Sequence, residues 1–247
     1  MSRAAHKMHL AAAGHKLLQQ PPAGGGQLTA QGLTALKSKR ILFGHQSVGA
    51  NMVDGIPALY SSYSVSPIRQ IDASQINSTS GGFFADFYVG DNGDPVGKTA
   101  DFNTTVRQYS AKLDIALMKF CFIDIVQGVN VTQVFNAYKS VMNGLVNDFP
   151  AIKFVYTTAA LDEYNVDNAV TREQLNTLIR NEYAMTGRLF DLAAVESTAP
   201  NGTRVGGTNG GNQYYQSYGG YTSDGAHLNS TGAQVVNTAL FTLLTNL

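Results

Sequence analysis

Arg40-Ile41-Leu42-Phe43-Gly44-His45-Gln46-Ser47-Val48-Gly49 is the stretch that decides the fold. Its opening run, Arg40–Phe43, has the apolar, β-branched character of a short buried strand. Gly44 and Gly49 permit a tight turn with close backbone approach, and Asn51–Tyr60 then reads as helix. A strand that feeds through a glycine turn straight into a helix is the opening unit of an α/β domain. Further strand-like runs lie at Val65–Ile71, Ile115–Ile125, Ala151–Thr157 and Arg188–Leu192. Between them, Val134, Phe135, Tyr138, Val141, Met142, Leu145, Val146 and Phe149 recur at the spacing of one apolar helix face. Thr171-Arg172-Glu173-Gln174 has capping-box spacing and opens a helix carrying Leu175, Leu178, Ile179 and Tyr183. A last helix starts near Thr231, and a short one covers Leu28–Lys37. Strands alternating with helices of this length predict a three-layer α/β domain with a mainly parallel sheet.

Composition bounds the rest. The chain has 247 residues, of which 44% are hydrophobic, enough for the core of one sizeable domain. Charged residues make up 14%, against roughly 25% in an average soluble protein, a profile that points to a secreted or periplasmic protein. No apolar run approaches the roughly 20 residues a spanning helix needs. One cysteine, Cys121, excludes an intramolecular disulfide framework and any Cys-rich zinc site. The 17 basic and 17 acidic side chains cancel, so there is no basic surplus for general nucleic-acid binding. The cancellation hides an asymmetry. Residues 1–40 contain Arg3, Lys7, Lys16, Lys37, Lys39 and Arg40 and no acid, so the remainder of the chain is net negative. Gln19–Gly26 reads as a linker. Residues 1–39 are therefore expected to be a basic tail or leader, poorly ordered, ahead of a single domain over 40–247. Lys7, His9, His15 and Lys16 break any apolar stretch of signal-peptide type.

In an open parallel sheet, ligands bind where strands end at their carboxyl edge. Ser47 falls there, at a helix start whose free N–H groups and positive dipole end favour a developing anion. A serine in that place can attack a carbonyl and have the oxyanion held by its own N–H; the plainer alternative is that it caps the helix. A serine nucleophile needs a base. Outside the tail only His45 and His227 are available. His227 follows Asp224 by three residues on a turn containing Gly225, so the carboxylate can fold back to Nδ1–H and leave Nε2 for the serine proton. An Asx-turn with a surface histidine is the alternative there. His45, two residues from Ser47, points away if strand geometry persists, although the turn could bring it to the pocket rim.

Ser47 in its Gly-His-Gln-Ser-Val-Gly turn and Asp224-Gly225-Ala226-His227 before the last helix together resemble the SGNH (GDSL-like) hydrolase superfamily. The resemblance covers roughly residues 40–247. It implies a flavodoxin-like α/β/α sandwich, with the nucleophile after the first strand and the Asp-x-x-His motif at the end of the fold. The motifs are short, and this chain departs from them. His45-Gln46-Ser47 stands for the usual Gly-Asp-Ser. In that family a second block supplies an oxyanion-hole glycine, for which Gly81-Gly82 is the candidate, with Gly82 as the donor. A third block, Gly-x-Asn-Asp, would fall at Cys121-Phe122-Ile123-Asp124, where Ile123 replaces the asparagine donor. Gln46, Asn92 and Asn103 are candidate replacements, and Asp124 reads as a structural cap rather than a catalytic acid.

Phe83, Phe84, Phe87 and Tyr88 could wall an acyl or sugar pocket or belong to the core. Tyr214, Tyr215, Tyr218 and Tyr221 lie in a Gly-rich stretch that reads as a mobile loop beside Asp224. Cys121 reads as a packed core residue, and Asp91-Asn92-Gly93-Asp94 as a polar turn rather than a calcium loop. The expected function is an ester hydrolase with Ser47 as nucleophile, His227 as base and Asp224 as its orienting acid. Ser47 and Gly82 would supply the oxyanion hole, with His45, Gln46, Gly81, Phe83, Asn92 and Tyr221 around the pocket. The substrate would be a small-molecule or carbohydrate ester, with no metal or other cofactor. An acyltransferase, or an inactive carbohydrate-binding domain on the same fold, are the alternatives.

Overall fold

The structure is a computed structural model that describes residues 26–247, so most of the basic tail lies outside the described residues. Six parallel strands form the central sheet in the order β2-β3-β1-β4-β5-β6: β1 (Arg40–His45), β2 (Gln70–Asp72), β3 (Phe83–Tyr88), β4 (Ile115–Met118), β5 (Lys153–Thr157) and β6 (Leu189–Phe190). Period-2 alternation sends their side chains to two cores. On one face, Ile41, Phe43, Phe84 and Leu117 pack with α1 (Ala30–Leu36), α2 (Val48–Ser62) and α7 (Ser230–Leu244), through Leu33, Met52, Ile56, Val236 and Phe241. On the other, Leu42, Phe83, Ala85, Ala116 and Phe154 pack with α3 (Pro95–Tyr109), α4 (Val131–Asp148) and α5 (Val166–Tyr183), through Phe102, Val106, Tyr138 and Ile179. The result is the expected three-layer α/β/α sandwich. No described helix is long and apolar enough to cross a membrane.

Several expectations change. The boundary at residue 39 falls inside packed structure, because Leu28, Leu33 and Leu36 are buried against the α2/α7 face. Of the Ile115–Ile125 run only the first four residues are strand, and Phe122–Asp124 is a single 3-10 turn. Phe83–Tyr88 is the strand β3, so Phe83 is core and not pocket wall. Helix α5 begins at Val166, where the Asn165 side chain caps the N–H groups of Asp167 and Asn168; Thr171 lies inside it and bonds back to the Asp167 carbonyl. The Gly-rich stretch is an ordered hairpin, β7 (Gly206–Asn209) with β8 (Asn212–Tyr215), packed on α5; it follows the short helix α6 (Leu192–Ser197). Arg204 lies over the Tyr215 ring, 3.3 Å from its centroid, and Tyr221 is buried, so neither tyrosine hangs over the site as a lid.

The chain leaves β1 toward β2 and β3 on one side, then crosses back to β4 on the other. Neighbouring connections diverge between β1 and β4, and that crevice at the carboxyl edge is where such sheets bind ligands. Ser47 follows β1 there, and Cys121–Asp124 follow β4.

Candidate active site

Ser47 adopts φ 45°, ψ −103°, a left-handed backbone that costs a non-glycine residue about 1–3 kcal/mol and that the surrounding turn must enforce. Its side chain makes no cap bond to α2. The hydroxyl instead contacts Nε2 of His227. Gly49 and Ala50 close the first turn of α2 by donating to the Gln46 and Ser47 carbonyls at 2.9 and 2.8 Å. The Ser47 N–H is left without an internal acceptor among the described residues. Gly49 has to be glycine for a local reason: a Cβ there would stand 2.3 Å from the Cβ of His45.

His227 and Asp224 sit on the turn before α7. Asp224 Oδ2 lies 2.7 Å from His227 Nδ1, while its Oδ1 accepts the N–H of His227 at 2.8 Å and of Ala226 at 3.1 Å. Those bonds, the His227 backbone N–H foremost, hold the Asp224 carboxyl down to about 2, so it is ionised at any neutral pH. Gly225 at φ 88° allows the turn. Asn51, in the first turn of α2, accepts the Leu228 N–H at 3.2 Å and ties the histidine turn to the serine helix. The three residues picked from the sequence are thus brought together from opposite ends of the domain.

His45 points to the other side of Ser47. It is 1% exposed, its Nε2 is 3.0 Å from Asp86 Oδ2, and its ring packs edge-on to Tyr88. Burial, reinforced by the positive charge of Lys119, lowers its pKa against the pull of Asp86, so it is a neutral packing residue rather than part of the pocket rim. Gln46 is also committed, its amide donating to the Gly90 carbonyl at 2.6 Å.

The oxyanion glycine is corrected. Gly82 precedes β3 at the amino edge of the sheet, where Phe83 pairs with Arg40 and a Cβ on Gly82 would meet the Lys37 carbonyl oxygen at 2.2 Å. Gly81 lies beside it, so both are at the far end of β1 from Ser47. The Gly81-Gly82 motif lies one strand-length short of the edge that holds Ser47, because β3 follows it. The loop that does reach the carboxyl edge is Val89–Asp94. Gly90 in it donates to Asp101, and Gly93 donates to Asp124 at 2.8 Å. Lys98 and Asp124 form a fully buried ion pair, and Lys98 Nζ also donates to Asn92 Oδ1 at 2.7 Å. That bond fixes the Asn92 amide by its oxygen and leaves its N–H₂ as the donor side. Asn103, two turns into α3, accepts from Arg107. Asp124 further accepts the Cys121 N–H at 2.6 Å, which gives it the structural task of joining the β3 and β4 loops. Cys121 itself is buried, with Sγ 3.1 Å from Lys119 Nζ. Ile123, in the place of an asparagine donor, is 47% exposed.

Solved structures share this fold. A Streptococcus pneumonia protein assigned provisionally as a platelet activating factor superposes with a TM-score of 0.50 at 14% identity, over 86% of this chain and 90% of its own. A protein assigned provisionally to the lipolytic G-D-S-L family, from Desulfitobacterium hafniense, gives 0.50 at 12% identity, over 83% of this chain and 99% of its own. The fold is that of the SGNH (GDSL-like) hydrolases. The acetylxylan esterase Axe2 from Geobacillus stearothermophilus is a more distant match, with a TM-score of 0.45 at 11% identity over 82% of this chain and 92% of its own. No protein-family model matches the sequence, and no curated protein does. Among the described residues, no three His, Cys, Asp or Glu side chains converge to hold a metal ion.

Sequence reading does not single out two side chains that order the loops of the site, Asn51 and Lys98. Asn51 alone carried a signal, as a polar residue one helical turn after Ser47.

Proposed function

We propose that this chain is a serine ester hydrolase acting through an acyl-enzyme. The contact of Ser47 Oγ with His227 Nε2, with Asp224 on the opposite ring nitrogen, carries the reading. His227 takes the Ser47 proton as Oγ attacks the ester carbonyl, and then returns it to the leaving alcohol. A water activated by the same nitrogen hydrolyses the acyl-enzyme. Asp224, kept ionised by its hydrogen bonds, fixes the tautomer and stabilises the imidazolium. The strained Ser47 backbone turns its free N–H toward the developing oxyanion, with the Asn92 amide N–H₂ as the second donor in place of Gly82 and of the missing asparagine. Short acyl esters of carbohydrates or other small alcohols are the proposed substrates, and the low charge fits a secreted or periplasmic setting.

Ile123 favours one competing reading, a binding domain that has lost catalysis. Release of p-nitrophenol from its acetate and butyrate separates them. The parent is expected to turn over and to label with a serine-directed phosphonate, with Ser47→Ala and His227→Ala doing neither. A parent that matches both variants and resists the phosphonate ends the hydrolase reading.

A further inference from the structure

The dyad on its turn is open to solvent, with 51% of the Asp224 side chain and 40% of the His227 side chain exposed. An exposed four-residue turn does not hold a ring nitrogen in register with a serine unaided, since each ordered side chain gives up rotamer freedom. Asn51 anchors its C-terminal end. The anchor on the other side comes from the loop after β5.

Tyr164 in that loop is 60% exposed, and its hydroxyl donates to the Asp224 carbonyl oxygen at 2.5 Å. Its ring lies against Gly225, where a Cβ would meet Tyr164 Cε1 at 2.7 Å. The neighbouring Glu163 N–H donates to the Gly225 carbonyl at 2.8 Å, and the Glu163 carboxylate accepts the Thr222 hydroxyl at 2.6 Å. Tyr164 also packs edge-on to Phe122, with centroids 6.4 Å apart, and Phe122 packs edge-on to the His227 ring at 5.9 Å. The β4 and β5 loops therefore touch both members of the dyad, one through its backbone and one through its ring.

What keeps those loops in place is buried. Arg172, fully enclosed in α5, donates to the Phe122 carbonyl at 3.0 Å and to Asp162 Oδ1 at 2.5 Å. Asp162 Oδ1 in turn accepts the Tyr164 N–H at 3.2 Å. One guanidinium thus sets both loops against the core, and a planar fork of donors suits the task as an ammonium would not.

We infer that Tyr164 is a positioning residue for the Ser47–His227–Asp224 array, holding Asp224 through its carbonyl while Arg172 holds Tyr164. The inference rests on the hydrolase reading above. It uses an exposed aromatic side chain that the core does not require.

The test is steady-state hydrolysis of p-nitrophenyl acetate and butyrate by the full chain and by Tyr164→Phe, Tyr164→Ala, Asp224→Asn and the Asp224→Asn/Tyr164→Phe double variant. Tyr164→Phe, which keeps the ring and loses the hydroxyl, is expected to lower kcat about tenfold for both esters with KM within about twofold. Tyr164→Ala is expected to lose about 100-fold, with phosphonate labelling of Ser47 slowed in proportion. In the Asp224→Asn background, Tyr164→Phe should cost less than about twofold, because residues acting on one array are not additive. Thermal midpoints of parent and Tyr164→Phe should agree, which separates positioning from loss of structure. An unchanged kcat in Tyr164→Phe, a loss confined to KM, or a full additive loss in the double variant each overturns the inference. An inactive parent would instead overturn the hydrolase reading, so the two failures are distinct.

Discussion

Two His–Asp pairs flank Ser47, and only one of them reaches it. His45–Asp86 and His227–Asp224 have similar separations, 3.0 and 2.7 Å, and opposite surroundings. His45 ends β1 with its ring in the layer beneath α2, where burial lowers its pKa, while the positive-φ turn at Ser47, beyond the strand, sends the hydroxyl elsewhere. His227 sits on an exposed turn, and its carboxylate partner is bonded by two backbone N–H groups as well as by the ring. Nearness in sequence is therefore no guide to chemistry. Of the two histidines, the one 180 residues from Ser47 is in contact with it.

The comparison breaks first on activity. Ser47→Ala and His227→Ala should each lower kcat for p-nitrophenyl acetate by about 10⁴-fold or more, while His45→Leu leaves the folded enzyme within about tenfold of the parent. A His45→Leu loss as large as that of His227→Ala would reverse the assignment. Asp224→Asn should cost about 10³- to 10⁴-fold, since the amide cannot hold the ring in the tautomer that accepts the serine proton. Asp86→Asn, on Nε2 of the other histidine, should leave kcat near that of the parent.

The second break is in stability. His45→Leu replaces a buried ring by an apolar side chain of similar volume, and leaves Asp86, which is partly exposed, to water. Chemical denaturation should report a loss of about 1–3 kcal/mol. His227→Ala, on an exposed turn, should lose less than about 1 kcal/mol. Equal losses would mean that the buried and exposed pairs are held with equal stringency.

Legibility followed the same division. The serine turn and the Asp224–His227 turn could be read because a glycine-punctuated strand end and an Asp three residues before a His are local patterns. The layers can be read because β1 is a short apolar run closed by a glycine turn and α4 and α7 have clean helical periodicity. β3 is not legible because Phe83, Phe84, Phe87 and Tyr88 do not alternate with polar residues, and only its first three residues are buried. Without β3 in view, Gly82 reads as lying at the carboxyl edge, whereas it precedes the strand. α3 was invisible for a different reason: its inward face includes Lys98 and Thr99, and no sequence pattern announces that Lys98 will be neutralised by Asp124 from another loop. Tyr164 and Arg172 make their contacts with segments far away in the chain, Asp224 and Phe122, which periodicity cannot encode.

The smallest effect separates the pairs by pH. A histidine whose folded pKa lies below 6.5 binds its proton more readily when unfolded, so its contribution to stability is complete above about pH 6.5 and is lost as the pH falls through that value. A carboxyl held at about 2 against an ordinary 3.8 behaves otherwise: its contribution is complete above about pH 4 and is lost only below it. Glu196, pushed up to about 8 by burial, runs in the opposite sense and loses stability as the pH rises from about 4.5 to 8, but it does so equally in parent and variants. Thermal midpoints followed from pH 7.5 to 5 should therefore fall less steeply for His45→Leu than for the parent. Asp224→Asn should track the parent over that range and part from it only below pH 4. Parallel curves for His45→Leu and parent would show that His45 keeps an ordinary affinity for its proton, and that the two pairs differ in place but not in electrostatics.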